Sequence, residues 1–95
     1  MDRVTTIRSK LQQALAPERL DITDDSHLHA GHAGAAGGAG HFTVRIVSSR
    51  FQGCSTIERH RLVYQAVGDM MPEEIHALSI KARAPEEEKS EENQT

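Results

Sequence analysis

The chain has 95 residues, 37% of them hydrophobic but only 3% aromatic and none of them tryptophan, so it can form one small domain with an aliphatic core and not two. Its formal net charge of −3 is unevenly spread: residues 86–95 hold five glutamates and one lysine, which leaves ten basic and nine acidic side chains in residues 1–85. That near-neutral balance argues against the concentrated basic face of a dedicated nucleic-acid binder. The single cysteine, Cys54, excludes an internal disulfide and a cysteine-based zinc site and fits a reducing compartment. No apolar run is long enough to span a bilayer, and the opening MDRVTTIRSKL carries charges where a signal peptide needs its apolar segment. The expectation is a soluble cytoplasmic protein with no membrane partner.

In chain order, Val4, Ile7, Leu11 and Leu15 share one face of a helix predicted over Thr5–Leu15, which Pro17 ends. Residues 19–24 (RLDITD) alternate Leu20 and Ile22 with Asp21 and Thr23, the pattern of a short half-buried strand. Residues 26–40 (SHLHAGHAGAAGGAG) are glycine- and alanine-rich and are predicted to be a flexible loop, because they cannot bury enough surface to offset their ordering entropy. A formal GxxG match, Gly31 to Gly34, carries little weight in such a repetitive stretch.

The chain is organised around residues 41–67. Phe42, Val44 and Ile46 alternate with Thr43 and Arg45 as a second strand, which breaks at Ser48-Ser49. A helix restarts after Gly53 with a capping box, Ser55 followed three residues later by Glu58. The spacing of Ile57, His60, Tyr64, Val67 and Met71 predicts its buried stripe, with Glu58, Arg59, Arg61 and Gln65 outside it. Pro72 marks a turn, and residues 75–83 (IHALSIKAR) form a third strand in which Leu78 and Ile80 share a face and His76 lies at its rim. From Pro85 the acidic tail is predicted to be disordered. Helix, strand, strand, helix, strand is an α+β domain over residues 1–85, with helices on one face of a small sheet.

Catalytic chemistry finds no support: there is no phosphate-binding G-x-x-x-x-G-K-[ST] and no G-x-S-x-G. Cys54 lies just before a helix start, which can activate a thiol, but a small residue filling a connection explains it equally well. His27, His29 and His32 have spacings that let them share a metal such as zinc, copper or iron, or simply be solvated. Residue spacing leaves both readings open. His60 falls on the apolar stripe and is predicted to be a hydrogen-bonded core residue.

The run V-S-S-R-F-x-G (47–53), then R-H-R-L-V-Y (59–64) and I-H-A-L-S-I (75–80), resembles the BolA family over Val4 to about Pro85. The resemblance implies a three-stranded mixed sheet similar to class II KH domains. It also implies a non-enzymatic adaptor, a monomer or weak homodimer when free, that shares a [2Fe-2S] cluster with a monothiol CGFS-type glutaredoxin and its glutathione. The family's histidine opening the last strand maps onto His76. In the histidine-loop subfamily the loop ligand follows a serine by three positions, which after Ser26 gives His29, with His32 as the alternative. Two imidazoles cannot complete two irons, so this chain should borrow thiolates from its partner. The other role of the family, DNA-binding transcriptional regulation, would rest on Arg45, Arg50, Arg59, Arg61, Lys81 and Arg83 and would be weak and strongly salt-dependent.

Overall fold

A computed structural model describes residues 2–26, 40–71 and 73–87. Helix α1 spans Arg3–Leu15, β1 Arg19–Asp24, β2 Gly40–Val47, α2 Thr56–Val67 and β3 Ile75–Arg83. The α+β order and the three strands are those expected. β2 is central, antiparallel to β1 and parallel to β3.

α1 begins two residues earlier than its apolar spacing indicated, because the Asp2 carboxylate accepts the Thr5 amide at 2.7 Å and caps the first turn. Its buried face is Ile7, Leu11 and Leu15, as expected. The helix stops at Ala16, whose φ of 43° is left-handed and whose amide returns to Gln12 O at 3.1 Å. This is a position glycine favours. Ala16→Gly is expected to stabilise the fold by about 0.5–1 kcal/mol, the left-handed strain relieved minus the extra chain entropy lost; urea unfolding measures it.

The V-S-S-R-F-x-G run is a structural joint. Ser48 is fully buried; its hydroxyl donates to Leu15 O at 2.6 Å, closing the end of α1, and accepts the Arg50 amide at 3.2 Å. A 3-10 turn over Ser49–Phe51 then drives Phe51 into the core, and Gly53 takes a φ of 77° that only glycine adopts without strain. α2 starts there with both halves of the Ser55–Glu58 capping box formed.

The core joins Ile7, Leu11 and Leu15 of α1 to Phe42, Val44 and Ile46 of β2, Phe51, Val63 and Val67 of α2, and Ile75 and Leu78 of β3. The expected stripe of α2 is corrected here. Ile57 is 65% exposed and Tyr64 38% exposed; the inward line is Arg59, Val63 and Val67, with Leu62 and Ala66 half-buried beside it. Val67 belongs to the expected stripe and is buried, but the rest of the inward face is offset from that stripe by about one residue, toward Leu62, Val63 and Ala66, which are apolar in their own right. His60 consequently lies half-buried at the helix margin, outside the core cluster.

A second departure is in β3. Gly40 pairs with Ile75 but His41 pairs with Ala77, so His76 is the extra residue of a bulge. The bulge lets Ile75 and Leu78 both face the core and leaves His76 exposed.

Candidate metal centre

Three chain segments meet where β2 begins. The Ser26 hydroxyl accepts the His41 amide at 3.1 Å, Asp24 accepts the Ser26 amide at 2.9 Å, and the Asp25 amide donates to His41 O at 2.8 Å. The Thr43 hydroxyl donates to the Asp25 carboxylate. On the other side the Gly40 amide donates to Glu74 O at 3.0 Å, one residue before β3. A Cβ on Gly40 would lie 2.6 Å from the Phe42 ring and 2.8 Å from Ser26 Oγ, so only glycine leaves this latch intact.

The latch sets the two histidines side by side. His41 is half-buried, with its Nε2 inside the protein, and its ring centroid lies 5.1 Å from that of exposed His76 at an interplanar angle of 50°. His76 is a candidate from the sequence and His41 is not; the pairing register that joins them has no local sequence signal. His27, His29 and His32 lie outside the described residues. Among the described residues no three metal-binding side chains converge.

The remaining candidates separate. Arg59 is drawn in: its Nε donates to Cys54 O at 3.0 Å, and its Nη1 to Ala82 O at 3.1 Å and to Glu87 Oε1 at 2.7 Å, with only 13% of the side chain exposed. It is a structural clamp rather than a contact for phosphate or an acidic partner, which corrects its placement among outward charges. Glu87 also accepts the Ala84 amide at 2.9 Å; that hydrogen bond first, and the Arg59 guanidinium second, hold its carboxyl below the ordinary 4.5. The acidic stretch assigned to the tail is thus tied to the domain at Glu87.

Arg45 and Lys81 are exposed neighbours in one cross-strand row with Asp21, and Arg83 follows in the next row with Arg19. Arg59, Lys81 and Arg83 line one groove between α2 and β3, while Arg50 and Arg61 are exposed outside it, so the structure brings together only some of the six basic candidates. Cys54 fills the connection before α2, its thiol directed to Arg50 O at 3.6 Å. No helix among the described residues is long and apolar enough to cross a membrane.

The family model described as "BolA-like protein" matches residues 11–87. This chain belongs to the BolA family. It is 48% identical to BolA-like protein 1 of Mus musculus over 79 residues, which cover 83% of this chain and 56% of that protein. The solved BolA domain of SufE1 from Arabidopsis thaliana superposes with a TM-score of 0.81 at 44% identity, covering 92% of this chain and 96% of that one. A DNA-binding transcriptional regulator BolA of Haemophilus influenzae is 35% identical over 88% of this chain and 79% of its own length. The chain spans about half the length of the mouse relative, and 23% of a plant relative named SufE-like protein 1, chloroplastic/mitochondrial. That name places one relative outside the cytoplasm expected from the sequence.

Proposed function

We propose that this BolA-like chain is a non-enzymatic adaptor of iron–sulfur metabolism that shares a [2Fe-2S] cluster with a monothiol CGFS-type glutaredoxin and glutathione. The observation that carries the reading is His76, lifted out of strand alternation by a bulge and displayed beside His41 at the protein surface. The donor set fits half of such a site: imidazoles without a thiolate at hand, as a cluster completed by a thiol-bearing partner requires. Imidazole ligation of one iron raises a cluster's reduction potential above that of an all-thiolate one.

In this reading His76 is one ligand and His29 the second, with His32 as its substitute. Ser26, the serine that precedes the loop ligand in the resemblance, is latched to His41, whose ring lies beside that of His76. His41 packs against that ring and restricts its orientation. Anaerobic co-expression with a monothiol glutaredoxin, followed by size exclusion, tests the reading. A coloured heterodimer is expected, which His29→Ala weakens and which His32→Ala leaves unchanged. Separate elution with a colourless BolA-like chain would contradict it.

A second reading, DNA binding, draws on the regulator among the relatives and on the exposed Arg45, Lys81 and Arg83. It requires the charge-reversed Arg45→Glu/Lys81→Glu variant to lose duplex affinity at low salt, together with a log–log salt slope shallower by about 2. An unchanged affinity would remove it.

A further inference from the structure

The sheet is packed on one face only. Leu20, Val44, Ile46 and Leu78 turn toward the helices, and strand alternation directs their odd-numbered neighbours the other way. Neither α1 nor α2 covers that second face, where Arg45, Ser79 and Lys81 are exposed. The pairing register orders it into rows. His41 stands beside Ala77 with His76 bulged next to it, Thr43 and Ser79 follow, then Asp21, Arg45 and Lys81, and last Arg19 and Arg83 on either side of Val47.

The two ends of this face differ in chemistry. One carries the paired imidazoles, whose ring centroids are 5.1 Å apart. The other carries Arg19, Arg45, Lys81 and Arg83 against one carboxylate, Asp21, which Arg19 already holds at 3.1 Å. This concentration of cations stands out in a chain whose residues 1–85 hold ten basic and nine acidic side chains. The four steps of β2 from His41 to Arg45 put the two ends about 13 Å apart.

We infer that this open face is the docking surface for the thiol-bearing partner, which meets Arg45 and Lys81 with carboxylates set about 13 Å from the point where it contacts the histidines. The inference rests on the proposed sharing of a cluster through His76 and names the surface and charge by which the partner is oriented. Two observations select this occupant. The face is continuous with the histidine pair, and a standard interface patch of about 800 Å² on each partner has a radius of about 16 Å, so one centred on His76 takes in the Arg45–Lys81 row. The cations then call for acidic groups opposite them, and charges at that distance from the centre act chiefly by steering the encounter.

The test follows association of the full chain with a cluster-loaded monothiol CGFS-type glutaredoxin, under anaerobic conditions, at about 50 mM and about 0.5 M salt. Arg45→Glu/Lys81→Glu is expected to slow association about tenfold at the lower salt and to approach the wild type at the higher, and the neutral Arg45→Gln/Lys81→Gln variant to slow it about threefold. Arg50→Glu/Arg61→Glu makes the same change in net charge on other elements and should slow it by no more than about twofold. The saturated complexes should share one visible circular dichroism spectrum, because none of these changes touches a histidine. No slowing at Arg45 and Lys81, or equal slowing by the two charge reversals, would overturn the inference while leaving the cluster reading in place. Lost affinity for duplex DNA with unchanged glutaredoxin association would also overturn it and assign the face to nucleic acid. If the wild-type chain itself forms no complex, the cluster reading fails and this inference falls with it.

Discussion

Arg59→Ala is expected to lower the unfolding free energy by about 3 kcal/mol, the lower end of what removing one partner of a buried ion pair costs, because Glu87 is itself 41% exposed. The guanidinium is a hub: one side chain joins the Cys54 carbonyl before α2, the Ala82 carbonyl of β3 and the Glu87 carboxylate after it. Its loss leaves two carbonyls without their donor and lets the edge of β3 separate from the helix. For a domain of this size that is a fall in melting temperature of roughly 15 °C. Arg61→Ala, two residues away and exposed, should stay within about 0.5 kcal/mol. Calorimetry of the two variants separates the clamp from an ordinary surface charge, and similar losses from both would contradict it.

The clamp also has a pH signature. The Glu87 carboxyl is more acidic in the folded protein than its ordinary 4.5, so its contribution to stability is complete above that value. It is lost as pH falls through the lowered folded value. The melting-temperature gap between the wild-type chain and Glu87→Gln should therefore be present at neutral pH and close in strong acid.

Gly40→Ala is the second large effect, a loss of about 2 kcal/mol from overpacking. The new methyl would meet the Phe42 ring at 2.6 Å and the Ser26 hydroxyl at 2.8 Å. Phe42 is 2% exposed and has no room to yield, so the displacement falls on Ser26, whose hydroxyl holds the His41 amide. The change thus reaches the His41–His76 pair without touching either ring. Urea unfolding gives the stability loss, and shifts in the His41 and His76 ring resonances report the opened latch. Stability and ring resonances like those of the wild type would show that the latch does not position the pair.

Local chemistry made much of this fold legible. Alternation in RLDITD marks β1 at its observed limits, the Ser55–Glu58 box starts α2 where expected, and the spacing of Ile7, Leu11 and Leu15 gives the buried face of α1. What was not legible depends on partners distant in sequence. Arg59 reads as a solvated charge until Ala82 and Glu87, more than twenty residues later, come to it, and Ile57 and Tyr64 are exposed because Val63 and Val67, with Leu62 and Ala66, supply the inward face of α2. The bulge at His76 arises from the register of β2 against β3, and neither strand shows it alone. For the same reason the sequence pointed to His76 but not to His41 beside it.

The most direct measurement of the central claim is visible circular dichroism of the heterocomplex with a monothiol glutaredoxin, wild type against His76→Ala, purified anaerobically in parallel. If His76 ligates the shared cluster, the wild-type complex shows a spectrum distinct from that of the glutaredoxin homodimer, and His76→Ala reverts to the homodimer spectrum while the variant chain stays folded. A His76→Ala complex with the wild-type spectrum would show that this histidine is no ligand and would contradict the account.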